Sequence, residues 1–272
     1  MSDLHSLRIC DLILETDLVP LPYEAFEVSE ESEPVMKMKA STGPISVENA
    51  TEVFKNVYHF NIYAFSDGHW VYEFRADGSR MRVETDFSHF EYCLAEQSHP
   101  EAFAFLTDLA VQCRLLIEGV ITVHAACVAK NHRAVAFSAE SGTGKSTRAR
   151  LWIEHLGYEW VVGDRPCIRI SDDKVFGVPW DGKEQIFKPG EMKLAALCEI
   201  RRSQDTYGEV LDEGEAFKFL MTQLFIPMWD PSLSAIAMSL LKKYVKTHRV
   251  LRLYCDITKD SVLKAEEILL CN

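Results

Sequence analysis

Between residues 53 and 90 the apolar positions fall in short aromatic and β-branched runs, VFKNVYHFNIYAF and HWVYEFRA. Ser66-Asp67-Gly68 and Asp77-Gly78 punctuate them. That pattern predicts a strand meander, its aromatics filling the core of a small sheet or forming a docking surface. Residues 1–40 are mixed and acidic, with Pro20, Pro22 and Pro34 interrupting the apolar stretches and 27–33 reading as a solvated loop. From residue 98 the period changes. Phe103, Leu106, Leu109, Ala110, Cys113, Leu116 and Ile117 recur every three or four positions and mark one face of a helix. Ser98 and Glu101 have capping-box spacing, with Pro100 at a tolerated early position.

Beyond Gly119, β-rich runs alternate with helical ones. Strands are predicted at 120–128, 134–138, 160–170, 174–178, 194–200 and 249–255, and helices at 146–156, 215–225, 231–246 and 260–270. Such alternation predicts an α/β core. Two domains follow: a smaller, strand-rich α+β domain over 1–97, available for partner or substrate docking, and a larger α/β domain over 98–272 led by a connecting helix at 98–117. Phe217, Leu220, Leu224 and Tyr244 are expected in the core as helix-face positions.

The strongest chemical signal is AVAFSAESGTGKSTRARLW. An apolar strand at 134–138 runs into the loop Ala139–Thr147, and a helix follows with Ala149, Trp152, Ile153 and Leu156 on one face and Gly157 placed to end it. This is the strand–loop–helix setting of a Walker A phosphate loop. Gly142 and Gly144 free the backbone to curl and aim N–H groups, with those of Ser141, Thr143 and Thr147, at phosphate oxygens. The helix N-terminus adds partial positive charge. Lys145 would neutralise the β- and γ-phosphates of ATP or a related nucleotide, and the Ser146 hydroxyl would hold Mg²⁺. Ala139 replaces the usual first glycine. Arg148 and Arg150 are expected on a solvated face.

A phosphate loop also needs a carboxylate at the end of a nearby strand. Trp160-Val161-Val162-Gly163-Asp164 supplies it 19 positions after Lys145, which makes Asp164 the candidate metal ligand or general base. His124, in VITVHAACVA, precedes Lys145 by 21 positions and shares strand parity with Val120 and Thr122. The turn sequence Gly177-Val178-Pro179-Trp180-Asp181-Gly182-Lys183-Glu184 offers Trp180 and Lys183 to an acceptor or nucleotide, or forms a structural loop.

Composition narrows the field. With 29 Lys and Arg against 41 Asp and Glu the formal net charge is −12, without the basic footprint of a nucleic-acid surface. No apolar run approaches the roughly 18 residues of a membrane span, and the first ten residues lack a signal-peptide layout, so a cytoplasmic setting is expected. The eight cysteines are scattered, with no C-x-x-C pair, and are expected to be neutral, mostly buried thiols rather than zinc ligands or disulfides.

His124, A-x-S-G-T-G-K-S-T and GDRP together resemble the C-terminal catalytic domain of HPr kinase/phosphorylase, a P-loop family akin to phosphoenolpyruvate carboxykinase. The resemblance covers residues 118–270. It is closest to the stand-alone HPr-kinase-like proteins of bacterial peptide-modification clusters, through SGTGKST-x-x-x-LW, GD-R-P and P-W-x-G-K-E. It implies ATP-dependent phosphoryl transfer to a hydroxyl, often a serine. Lys145 and the loop amides would bind phosphates, Ser146 and Asp164 would hold Mg²⁺, and Asp164 or His124 would assist the acceptor. Three departures stand out. The family's paired acids are reduced to Gly163-Asp164, and its EIRGLG-type signature is absent, CEIRRSQD at 198–205 sharing letters on a different kind of segment. Residues 1–117 do not resemble the regulatory domain of the true HPr kinases, which argues against HPr as substrate.

The leading expectation is therefore a kinase for a peptide or protein serine. A small-molecule hydroxyl kinase and a nucleotide-binding scaffold with little turnover are the alternatives, and a homo-oligomer stays open. A carboxykinase-type lyase is disfavoured, because no arginine cluster for a dicarboxylate is evident.

Overall fold

The computed structural model describes residues 4–29, 32–56, 59–180, 182, 184–186 and 188–270. The chain is mixed α/β and divides into two compact units: residues 1–118 with 227–233, and residues 119–226 with 234–272.

The first unit is built on an eight-stranded sheet. Strands β1 (His5–Ile9) and β2 (Leu12–Thr16) form a hairpin, then β3 (Met36–Ala40) pairs parallel to β2. β4 (Thr51–Lys55), β5 (Phe60–Ala64), β6 (Trp70–Phe74), β7 (Arg80–Val83) and β8 (His89–Cys93) form the expected antiparallel meander, giving the order β1-β2-β3-β8-β7-β6-β5-β4. The β1–β2 hairpin has no counterpart in the sequence reading of residues 1–40. Its turn uses Cys10 and Asp11 at φ 51° and 67°, where glycine or asparagine is the usual signal. Of the 27–33 segment, residues 30 and 31 lie outside the described residues.

Helix α1 (Ala102–Ile117) belongs to this unit, not to the second domain in which the sequence reading placed it as a connecting helix. Its buried stripe lies over β6 and β7, and the Tyr72 hydroxyl meets Cys113 Sγ at 3.7 Å. Ile117, expected on the apolar face, is 40% exposed. The Ser98–Glu101 capping box does not form. Instead Asp77 Oδ2 takes the His99 amide and His99 Nδ1 takes the Glu101 amide, which leaves Glu101 as a cap without a side-chain bond. The aromatics of the meander are largely core: Phe54, Phe60 and Tyr72 pack around Trp229, with ring centroids 5.3–6.0 Å apart.

The second unit carries a nine-stranded sheet. Its strands are β9 (Val120–Thr122), β10 (Ala125–Lys130), β11 (Arg133–Ser138), β12 (Glu159–Val162), β13 (Cys167–Arg169), β14 (Lys174–Phe176), β15 (Glu191–Arg202), β16 (Tyr207–Val210) and β17 (Val250–Cys255). β10 and β11 form a hairpin flanked by antiparallel β12, and β11, β15 and β17 run parallel side by side. β14, β13 and β9 continue antiparallel from the start of β15, and β16 closes on β17. The helices are α2 (Lys145–Leu156), α3 (Glu213–Met221), α4 (Pro231–Thr247) and α5 (Lys259–Leu270). α2 and α5 cover one sheet face. Trp152 is its anchor: it is fully buried, with T-shaped contacts to Phe137 at 5.1 Å and Tyr158 at 4.8 Å. Gly157 ends α2 as expected, at φ 71°.

Several predicted elements are shorter than the pattern suggested. The 160–170 strand divides into β12 and β13, the 174–178 strand ends at Phe176, the 120–128 strand breaks at Val123 and His124, and the 215–225 helix stops at Met221. The last two corrections have one cause. Residues 223–225 leave the helix and bond the break instead, Phe225 N to Thr122 O at 2.9 Å and His124 N to Gln223 O at 2.8 Å. Leu220 and Tyr244 are buried as expected, and Leu224 is buried outside the helix. Cys10, Cys113, Cys127, Cys167, Cys198 and Cys255 are buried free thiols, and burial pushes the Cys113, Cys127 and Cys198 pKa values well up.

Gly177 sits where two backbones nearly touch, since a Cβ there would lie 1.8 Å from the Lys188 carbonyl oxygen. Gly177→Ala is therefore expected to destabilise the second unit by about 1–3 kcal/mol, the usual cost of overpacking. A thermal melt in which it matches wild type would show that the 177–190 segment shifts freely.

Candidate functional site

β11 ends at Ser138, and the chain turns through residues 139–144 before α2 begins at Lys145. Gly142 and Gly144 hold φ of 79° and 121°, conformations that strain any residue with a Cβ. The Thr143 amide donates to Glu140 O at 3.2 Å. Arg202, at the end of β15, donates from Nε to Thr143 O (3.1 Å) and from Nη2 to Gly142 O (2.7 Å). In a trans peptide the carbonyl and the next N–H point oppositely. Arg202 thus turns the Thr143 and Gly144 amides away from itself, an ordering of the loop that no motif in the sequence announces.

Lys145 is half-buried and donates from Nζ to Ala139 O at 3.2 Å. Burial pulls its pKa below the usual lysine value, and the Asp164 charge acts in the other direction. Asp164 stands just beyond β12. Its Oδ1 lies 3.4 Å from His124 Nε2 and its Oδ2 lies 3.7 Å from Arg165 Nε. Gly182 approaches it closely enough that an added Cβ would sit 3.2 Å from the Asp164 Cβ. Lys145, Asp164 and His124, distant in sequence, thus share one electrostatic neighbourhood.

His124 reaches that neighbourhood differently from the sequence expectation. Strand parity does not aim it, because the strand is interrupted there. The residue sits in a bend between β9 and β10, held by its amide to Gln223 and by its carbonyl, which accepts from Ser138 Oγ at 2.8 Å. Burial lowers its imidazole pKa, Asp164 raises it, Lys145 and Arg165 lower it, and the Gln223 side chain raises it. The net direction is down. A neutral imidazole is favoured, and it can accept a proton near neutrality.

Of the two arginines expected on a solvated face, Arg150 is there and Arg148 is not. Arg148 is not solvated: it is 3% exposed, and its Nη2 donates to Asp256 O. Arg150 is exposed and pairs with Glu184 at 2.6 Å. Trp180 is buried, with Nε1 donating to Arg165 O at 3.1 Å, and so shapes the turn behind Asp164. Asp181 and Lys183 lie outside the described residues. Glu199 has no place in the motif, yet it lies in the buried part of β15 in register with Ser138, its carboxylate held by Arg252 (2.7 Å) and Arg201. The apolar run LAALCEI that continues through it was the available signal, since a carboxylate inside such a run is seldom idle.

Among the described residues no three His, Cys, Asp or Glu side chains cluster as a metal cage. The oxygen donors present, the partly exposed Asp164 carboxylate and the Ser146 hydroxyl, suit Mg²⁺, which keeps several waters and is bound through one or two carboxylates plus phosphate oxygens. No protein-family model matches the chain, and no curated protein does. No helix among the described residues is long and apolar enough to cross a membrane.

Proposed function

We propose that the second unit is a nucleoside-triphosphate-dependent kinase of HPr-kinase-like type, transferring the γ-phosphoryl group of ATP to a hydroxyl, most simply a serine of a peptide or protein. The observation that carries this reading is the meeting of Lys145, Asp164 and His124 beside a glycine loop that opens a helix. The loop amides and Lys145 bind the phosphates. Asp164 and Ser146 would hold Mg²⁺, which when bound neutralises charge on the β- and γ-phosphates. The acceptor oxygen then bonds to the γ-phosphorus as the bridging P–O bond breaks. Its proton passes to Asp164 or His124, which are near enough to share it.

The family resemblance in the loop, in His124 and in GDRP supports the same chemistry. The single carboxylate at Asp164, where that family has two, favours one second reading, a nucleotide-binding scaffold with little turnover. Purified protein with Mg²⁺-ATP and a library of serine peptides separates the two. Phosphopeptide formation, or slow ATP hydrolysis without an acceptor, is expected of the kinase. Tight nucleotide binding with neither would establish the scaffold.

His124→Ala is expected to keep ATP affinity within a few-fold and to lower transfer by about 10²-fold, the scale of a lost general base. Retained full activity, measured as phosphate transferred per minute, would remove His124 from the chemistry and leave Asp164 to activate the acceptor alone.

A further inference from the structure

The pairing that interrupts the strand at His124 also chooses that residue's neighbour. Val123 stands opposite Leu224 in an isolated antiparallel bridge, bounded by Phe225 N to Thr122 O at 2.9 Å and His124 N to Gln223 O at 2.8 Å. Gln223 is therefore directly opposite His124, and residues so placed point to the same face with Cβ atoms about 5 Å apart. We infer that Gln223 is a positioning residue: its Oε1 takes the Nδ1–H of His124 and holds the imidazole in the tautomer whose Nε2 is free for the acceptor's proton. The inference rests on the kinase reading above and adds to it the group that sets which ring nitrogen receives the proton.

Three observations carry it beyond the register. The first fixes which way the amide points. The Thr222 hydroxyl donates to Phe219 O at 2.8 Å, so it can only accept from Gln223, and its 2.9 Å neighbour is the amide nitrogen. The carbonyl end is thereby turned away from Thr222. Secondly, Gln223 is only 7% exposed, and its buried Oε1 has no partner at full hydrogen-bond length. A buried carbonyl oxygen left unpaired is costly. Thirdly, the Gln223 side chain acts on the His124 imidazole as a hydrogen-bond partner. The contact is thus a long one, as catalytic hydrogen bonds often are before substrate binds and tightens them.

The chemistry follows from counting protons. A neutral imidazole carries one N–H, on one nitrogen or the other. On Nε2 it would face Asp164, and the ring could take nothing from the acceptor there. The 3.4 Å gap from Nε2 to Asp164 Oδ1 is longer than a charge-assisted bond, so the carboxylate does not claim that proton. On Nδ1, held by Gln223, it leaves the Nε2 lone pair free. As the acceptor oxygen bonds to the γ-phosphorus and the bridging P–O bond breaks, the hydroxyl proton passes to Nε2. The imidazolium then donates from both nitrogens, to Gln223 Oε1 and toward Asp164, and the amide gains no proton.

Nitrogen NMR of the imidazoles in the full chain reads the tautomer, with the His124 signals identified by their loss in His124→Ala. Wild type should show His124 protonated on Nδ1 and bare on Nε2. A ring protonated on Nε2 would overturn the inference whatever the turnover. Gln223→Met, close in size but without the acceptor, should lose that preference and lower phosphoryl transfer by about 10-fold, with KM for ATP within about 2-fold, because it misaims the ring and not the phosphates. Gln223→Glu keeps an acceptor oxygen and should recover to within about 3-fold of wild type. Added to His124→Ala, Gln223→Met should cost no more than about 2-fold further, since its effect passes through the ring. A full further loss in that background, wild-type turnover in Gln223→Met, or no recovery in a folded Gln223→Glu would make Gln223 structural only. Should Gln223→Met fail to fold, the wild-type tautomer and Gln223→Glu decide the matter. If wild type neither phosphorylated a serine peptide nor hydrolysed ATP, the kinase reading would fail and the positioning role with it, even with the tautomer as stated.

Discussion

Asp164→Asn is expected to lower phosphoryl transfer by about 10³-fold at ordinary Mg²⁺ and to raise the Mg²⁺ concentration needed for half-maximal activity sharply. Asparagine keeps the shape of the side chain and one carbonyl oxygen, but it loses the charge that draws a hard dication and the capacity to take a proton. In the proposed kinase both losses fall on one residue, because Gly163 stands where the family that the loop resembles carries a second acid. A lost general base alone costs about 10²–10⁴-fold, and a weakened metal adds to it. The fold should be indifferent. Asp164 lies past the end of β12, partly exposed, and its contacts to His124 and Arg165 at 3.4 and 3.7 Å are longer than strong charge-assisted bonds. Titrating Mg²⁺ at fixed ATP, with a thermal melt alongside, checks both halves. Normal turnover at low Mg²⁺ would make Asp164 a turn residue and shift attention to Glu199.

The second unit was the more legible part of the chain, for a local reason. β11, the glycine loop, α2 and the Gly157 stop form one unbroken stretch, in which every signal concerns residues a few positions apart. His124 stands out by its place in the motif, but strand parity does not aim it, because the strand is interrupted there. The break that orients it comes from residues 223–225, about a hundred positions away, and strand periodicity cannot register a partner of that kind. The same holds for Arg202 and Arg148, whose roles follow from carbonyls at Gly142, Thr143 and Asp256 to which no sequence spacing points. In the first unit, the Cys10-Asp11 turn hid the β1–β2 hairpin, because neither residue type advertises positive φ as glycine does. The Ser98–Glu101 box was a correct spacing without the geometry. Asp77, from the β6–β7 turn, had already taken the His99 amide.

Lys145→Ala should abolish measurable turnover, a loss of about 10²–10³-fold or more, and weaken Mg²⁺-ATP binding in parallel. Removing one preorganised charged donor from a transition state typically costs that much. Lys145 contributes more than an average donor because it is half-buried, where a charge interacts through a lower effective dielectric than in water. Its present bond to Ala139 O at 3.2 Å is a weak commitment that a phosphate oxygen can replace. The downward pull of burial on its pKa has the same meaning: the ammonium is under-compensated without an anion beside it, and Asp164 offsets only part of the deficit. A phosphate would complete the compensation. Stability is not expected to suffer, since Lys145 is the first residue of α2 and alanine is the better helix former. Lysine-to-arginine exchange should not rescue, because a planar fork does not reproduce a compact ammonium in a closed loop. Calorimetry with ATP and a turnover assay, run on Lys145→Ala and Lys145→Arg with matched melting curves, decides the matter. A folded Lys145→Ala protein with wild-type affinity and wild-type turnover would mean that the loop binds no phosphate at all.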